Sequence, residues 1–183
     1  FLIFTTGHFK GGRRLIPLIH TINKLASKHE NIGLLIGWTG HGEADSVKES
    51  FSIARKMEFV RIIPPTSRIN LYYNAADVYI LSASSDYVIE TPMSIIEALS
   101  SGTPVITFDI NAASEIIRND INGYLIKNGN FNEMKLKLSH LMDNMHLSKE
   151  FSMNARNLAL NNFSYNVVGE QLYNLYRELI DNQ

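Results

Sequence analysis

Three stretches carry residue types that could do chemistry together. In Gly7-His8-Phe9-Lys10-Gly11-Gly12-Arg13-Arg14, three glycines and three cations lie between an apolar run and a helical pattern. Glycines let a backbone approach a ligand closely, and Lys/Arg beside a helix N-terminus stabilise phosphate charge. The Gly7…Gly12 spacing mimics the start of a P-loop, but Arg13 and Arg14 stand where that motif needs Lys and then Ser or Thr, so its magnesium ligand is missing. The same residues also suit a glycine-rich turn with solvated cations. In the stretch from Ser82 to Ile106, Glu90 falls in a loop and Glu97 two turns into the following helix. Pro92 has no N–H, whereas Met93 and Ser94 offer backbone donors at the helix start. A carboxylate reaching past that start can accept from ribose hydroxyls while the N–H groups hold a phosphate. Ile95, Ile96 and Leu99 equally allow Glu97 to be no more than part of a solvated face. The third stretch, Gly37-Trp38-Thr39-Gly40-His41-Gly42-Glu43, lacks the G-x-G-x-x-G spacing of a dinucleotide site. Its glycines suit a flat base or a tight turn.

Other chemistries are set aside by what is absent. The 6 histidines do not cluster. His41 with Glu43 and Asp45 is their only acidic neighbourhood, and it lacks the spacing of a closed metal site. There is no G-x-S-x-G elbow. With 0 cysteines, disulfide frameworks, thiolate metal sites and a cysteine nucleophile are excluded. Tyr72-Tyr73 and Tyr173/Tyr176 sit at helical spacing and read as packing rather than base-stacking platforms. The balance of 17 Lys+Arg against 18 Asp+Glu gives no general attraction to nucleic acid. No apolar run reaches the roughly 18–20 residues of a membrane span, and Phe1–Thr6 lacks the charged start of a signal peptide. These features suggest a cytoplasmic protein.

The elements that must position these residues alternate. Short apolar runs at Phe1–Thr6, Ile32–Gly37, Phe59–Ile63, Val78–Leu81, Pro104–Phe108 and Gly123–Ile126 read as buried strands. Between them, Leu15–Ser27, Asp45–Lys56, Ser67–Ala75, Thr91–Ser101, Ala113–Arg118 and Asn130–Asn144 read as helices. Thr91 stands as a cap, Pro92 as the first helical residue and Gly102 as the stop. Lys149 to Asp181 reads as two helices broken around Asn161–Ser164. The pattern predicts a single α/β domain over 1–183, a Rossmann-like open parallel sheet of about six strands with helices on both faces. Ligands of such sheets lie beyond the carboxyl ends of the strands, where all three stretches fall. Opening on the strand pattern Phe1-Leu2-Ile3-Phe4, the chain reads as part of something longer.

Taken in order, the segments resemble the group 1 (family 4) retaining glycosyltransferases. Leu71-Tyr72-Tyr73-Asn74-Ala75-Ala76-Asp77-Val78-Tyr79-Ile80-Leu81 is similar to their LYxxADVFVLPS stretch, and Glu97-Ala98-Leu99-Ser100-Ser101-Gly102-Thr103-Pro104-Val105-Ile106 to EAMACGTPVI. Glu115-Ile116-Ile117 and Asn122-Gly123-Tyr124-Leu125-Ile126 match EIV…NGYLV. Gly7 with Lys10-Gly11 looks like the G…KG loop, Gly40-x-Gly42 like GDGP, and Phe163-Ser164-Tyr165 with Leu172–Tyr176 like the C-terminal helices. The resemblance covers essentially the whole chain. It implies the donor-binding C-terminal half of a two-domain GT-B enzyme whose N-terminal acceptor domain lies outside this chain.

Carried over residue by residue, the resemblance implies that Lys10 neutralises the donor diphosphate, with Arg13 and the amides of Met93, Ser94 and Ile95 beside it. Glu97 corresponds to the second Glu of the E-x7-E motif, which binds ribose. The first falls on Ile89, one residue from Glu90. A one-residue deletion within Glu90-Thr91-Pro92-Met93 would give Glu90 the catalytic role next to the transferred sugar. Backbone near Gly40, Ile63 and Pro64 would face the base. The implied function is transfer of a sugar from a nucleotide-sugar to a glycan or lipid-linked acceptor. It would need no cofactor and no metal, and would serve polysaccharide, lipopolysaccharide or capsule synthesis. Membrane contact, at the inner face, would belong to the missing half. Two alternatives stand beside it: a non-catalytic nucleotide-sugar- or partner-binding module that has lost the catalytic carboxylate, and another GT-B enzyme such as an epimerase.

Overall fold

The computed structural model describes residues 1–9, 11–42, 44–86, 92–110 and 112–181. In chain order the elements are β1 (Leu2–Phe9), α1 (Leu15–Ala26), β2 (Gly33–Gly42), α2 (Ala44–Ala54), β3 (Val60–Ile63), α3 (Ile69–Ala75) and β4 (Val78–Leu81). They continue with α4 (Met93–Ser100), β5 (Val105–Phe108), α5 (Ala113–Ile116), β6 (Gly123–Ile126), α6 (Phe131–Asp143), α7 (Met145–Phe163) and α8 (Tyr165–Asp181). The six strands form one sheet in the order β3-β2-β1-β4-β5-β6, and every pair is parallel. The expected Rossmann-like α/β architecture is therefore present, with helices on both sides of the sheet.

β4 and β5 are short and apolar throughout, and all of their residues are buried. Such strands hold their place by burial on both faces rather than by alternation. β1 alternates its faces. Phe4 and Thr6 face α3, where Phe4 meets Tyr73 edge-on with ring centroids 4.9 Å apart, while Ile3 joins the core on the other side. Gly37 on β2 makes room for this packing, because a Cβ there would lie 3.0 Å from Thr6 Cγ2 and 3.3 Å from Ile69 Cδ1.

β1 and β2 run past the apolar stretches that announce them, to Phe9 and Gly42. Backbone pairing persists through Gly7↔Trp38 and, after an irregularity, Phe9↔Gly42. Hydrophobic pattern cannot reveal this extension, because the backbone supplies it and β2 is solvent-exposed from Thr39 onward. Pro92 sits at the cap position of α4 with φ −68° and ψ 119°, so Met93, not Pro92, is the first helical residue. α7 begins at Met145, ahead of the expected Lys149, since Asn144 alone separates it from α6. The break before α8 falls at Ser164, which is extended at ψ 150°.

α8 differs from the other helices in burying none of its residues. Val168, Leu172, Leu175, Tyr176 and Leu179 recur at helical spacing and remain about half exposed. Among the described residues, no helix is long and apolar enough to cross a membrane.

Candidate functional site

The strand order reverses between β1 and β4. The chain lays β2 and β3 to one side of β1, then crosses through α3 to place β4 on the other. Two loops leaving adjacent strands in opposite directions open a crevice at the carboxyl edge, the position where open α/β sheets take their ligands. The loops after β1 and β4 carry the first two candidate stretches, and they are bonded to each other. The Ser84 amide donates to the Gly12 carbonyl at 2.8 Å. The Ser82 hydroxyl donates to the Arg13 carbonyl, also at 2.8 Å.

After β1 the chain makes a 3-10 turn over Gly11–Arg13 before α1. The half-buried Arg13 folds back on Gly7, such that a Cβ at Gly7 would stand 2.6 Å from Nε and 2.7 Å from Cζ. Gly7 also has φ +144°, so it serves both the backbone turn and the seating of the guanidinium. The cleft at this corner is lined by Gly7, His8, Arg13 and Ser82, among others. Arg14 has a different task. At φ 49° it leads into α1, donates to Asn128 Oδ1 at 2.8 Å and lies over the Phe108 ring at 5.5 Å. It clasps the loop after β6 and is not placed to be a solvated cation.

On the other wall, α4 presents its N-terminus and Glu97. The Ile95 amide donates to the Pro92 carbonyl at 2.9 Å, which reduces the expected backbone donors to Met93 and Ser94. The first N–H groups of a helix have no partner within it. Glu97 is exposed, yet its Oε2 accepts a 2.9 Å hydrogen bond from the Tyr73 hydroxyl. Tyr73, on α3, is 1% exposed. Its hydroxyl also lies 3.5 Å from Thr6 Oγ1, which is in turn 3.0 Å from the Tyr79 hydroxyl. Burial, reinforced by Tyr79 and Glu97, pushes the Tyr73 phenol far above its usual range, against a smaller opposing effect of the Thr6 hydrogen bond. The phenol therefore stays protonated and acts as a donor.

The loops after β2 and β3 form the third corner. Gly40, at φ +85°, packs against Pro65, whose Cγ would be 3.1 Å from a Cβ at Gly40. Pro64 is exposed, whereas the Ile63 side chain belongs to the core, which leaves Ile63 only backbone to offer. His8 bridges to this corner, with Nδ1 2.7 Å from Thr39 Oγ1 and its ring edge-on to His41.

Arg13, Met93, Ser94 and Glu97 thus lie on loops or helices leaving β1 and β4 at one edge of the sheet, with Gly40 and Pro64 at the ends of the neighbouring strands. Lys10, Glu90 and Thr91 lie outside the described residues. Tyr73 is the partner of Glu97 that sequence reasoning missed, having read it as packing. The available signal was chemical, since a buried Tyr needs a partner for its hydroxyl. A larger hollow of about 570 Å³, lined by Phe1, Asn31, Asp77 and Met145 among others, sits at the opposite, amino edge of the strands. Among the described residues no group of acidic or histidine side chains is disposed to hold a metal ion.

Comparison with known proteins agrees with this fold. The family model for glycosyl transferases group 1 matches residues 1–158. A poly(ribitol-phosphate) alpha-N-acetylglucosaminyltransferase of Staphylococcus aureus is 39% identical over 85 residues, 46% of this chain and 17% of its own. The capsular polysaccharide biosynthesis glycosyltransferase CapM of S. aureus is 22% identical over 180 residues, 98% of this chain and 47% of its own. Among solved structures, Anabaena Alr3699/HepE in complex with UDP superposes with a TM-score of 0.85 at 18% identity, covering 97% of this chain and 49% of that one. At that identity the likeness is one of fold. The chain spans about half the length, or less, of the curated relatives it matches.

Proposed function

Because the chain belongs to the group 1 glycosyltransferases, we propose that it is the nucleotide-sugar-binding C-terminal domain of a retaining enzyme. That enzyme would move a hexose-type sugar to a glycan or lipid-linked acceptor for cell-surface polysaccharide. The observation that carries this reading is the crevice between β1 and β4, with a cation-bearing glycine turn on one wall and a helix N-terminus followed by Glu97 on the other. A nucleoside diphosphate matches these walls group for group. Its diphosphate would meet Arg13 and the Met93 and Ser94 amides, and Lys10 is the further cation that the family resemblance assigns to it. Its ribose hydroxyls donate to Glu97, and its base faces the loops at Gly40 and Pro64. The UDP held by the Anabaena neighbour supports a ligand of this class.

As the sugar leaves the diphosphate, negative charge grows on the leaving oxygen and positive charge on the anomeric carbon. Donors fixed in advance around the diphosphate stabilise the first without a metal. The family resemblance gives Glu90 the complementary role, that of a carboxylate favouring the second and orienting the sugar. The acceptor would come from a further N-terminal domain. The half-exposed apolar face of α8 suits contact with additional polypeptide. The whole enzyme would work in the cytoplasm, with the acceptor domain meeting the inner face of the membrane.

Calorimetric titration of the chain with UDP, GDP and ADP in EDTA tests the reading. Selective binding of one of them supports a metal-free donor site. Binding of none, or binding only with added magnesium or manganese, contradicts it.

A further inference from the structure

Glu97 is a solvent-exposed side chain on the first turns of a surface helix. Left to itself, an exposed Glu samples several rotamers, and fixing it on a ligand costs entropy at the moment of binding. The structure supplies a fixed point for it. Tyr73 is held by its ring between Phe4, at 4.9 Å, and Tyr79, at 5.4 Å. Its backbone carbonyl is tied by the Thr103 hydroxyl at 2.7 Å. The hydroxyl at the end of this immobile ring donates to one carboxylate oxygen, Oε2, at 2.9 Å. A carboxylate has two oxygens and about four acceptor sites, so anchoring Oε2 leaves capacity for a ligand.

Resting on the donor-site reading above, we infer that Tyr73 is the positioning residue for Glu97, fixing the carboxylate so that it reads the ribose hydroxyls of the nucleotide. The part-buried Thr6–Tyr79 pair behind it completes the support, with Thr6 Oγ1 facing both phenols. β1, α3, β4 and α4 each contribute one member, so the carboxylate is tied to the centre of the sheet and not merely to its own helix. Tyr73 touches no part of the nucleotide in this account. It acts only through Glu97.

The test compares affinities for UDP and for 2′,3′-dideoxy-UDP in the wild-type chain, Tyr73→Phe, Glu97→Ala and the double variant. The ratio of the two affinities isolates reading of the hydroxyls. Tyr73→Phe is expected to lower that ratio roughly two- to tenfold, the usual size of one hydrogen bond, and to leave dideoxy-UDP affinity unchanged. In the Glu97→Ala background it is expected to change the ratio no further. A full ratio in Tyr73→Phe, with the ratio lost in Glu97→Ala, overturns the positioning role and leaves the site standing. A full ratio in Glu97→Ala overturns the site itself. An equal loss for both nucleotides in Tyr73→Phe marks a purely structural role and also overturns the inference. Glu97→Asp checks the point without touching the core. Shortened by one methylene, the carboxylate parts from Tyr73, so a retained ratio refutes the need for the anchor, and a fall in the ratio that Tyr73→Phe does not share assigns the loss to the ribose contact alone and overturns the inference as well.

Discussion

The guanidinium of Arg13 lies directly on the backbone of Gly7, with Nε 2.6 Å from where a Cβ would stand. Any side chain at position 7 must displace it and must also accept φ +144°. Gly7→Ala therefore strains the backbone by about 1–3 kcal/mol and drives the guanidinium off its seat. The expected outcome is a lower melting temperature and a loss of affinity for UDP that is larger than the loss for uridine. Parallel calorimetric titrations with the two ligands read the difference.

On the proposed donor site, Glu97→Ala removes a charge-assisted contact to ribose. Such bonds contribute about 1.5–3 kcal/mol, so nucleoside diphosphate affinity is expected to fall roughly ten- to a hundredfold. The melting temperature of the free chain should also fall somewhat, because the buried Tyr73 hydroxyl loses its acceptor. The same titration, paired with a thermal melt, checks both halves of this statement.

Gly123 marks a stability limit away from the site. A Cβ there would lie 2.0 Å from the Val105 carbonyl oxygen, part of the neighbouring strand. No side-chain rearrangement can relieve a clash with backbone, so Gly123→Ala must part β5 from β6. We expect destabilisation of about 4 kcal/mol or more, visible in urea unfolding as a lowered midpoint or as failure to fold.

The Tyr73 phenol makes stability fall in alkali. Its folded pKa is raised above the unfolded value near 10, so its contribution is complete below pH 10. Above that, the unfolded chain releases a proton that the folded one keeps, and stability declines as pH rises. Tyr124, raised by burial and by Asp120, acts in the same direction. Unfolding midpoints taken between pH 8 and 11 should decline, and Tyr73→Phe should decline less steeply.

The sheet was legible because its strands are apolar and short. Val78–Leu81 and Gly123–Ile126 begin and end where the sequence places them. Loop geometry was less so. The outer parts of β1 and β2 pair through backbone, with Gly7, Gly40 and Gly42 among their residues, and no side-chain pattern records such pairing. At the site, the resemblance singled out Glu97 and Lys10, with Arg13 beside Lys10, and the strand ends told where to look; of these, Lys10 lies outside the described residues. The partnership of Glu97 with Tyr73 joins two helices across 24 positions. Helical spacing marks Tyr73 as buried but cannot show where its hydroxyl points. Arg14 likewise reads as a phosphate-binding cation from its neighbours, and only the folded chain brings Asn128 to it.

Whether a nucleoside diphosphate lies across the β1–β4 crevice is read by amide chemical-shift mapping of the isotopically labelled chain during UDP titration. The largest shifts are expected at Gly11–Arg13, Met93, Ser94 and the turn around Glu97, with smaller ones near Gly40 and Pro64. Shifts confined to the amino edge of the sheet, around Asn31, Asp77 and Met145, would contradict that placement.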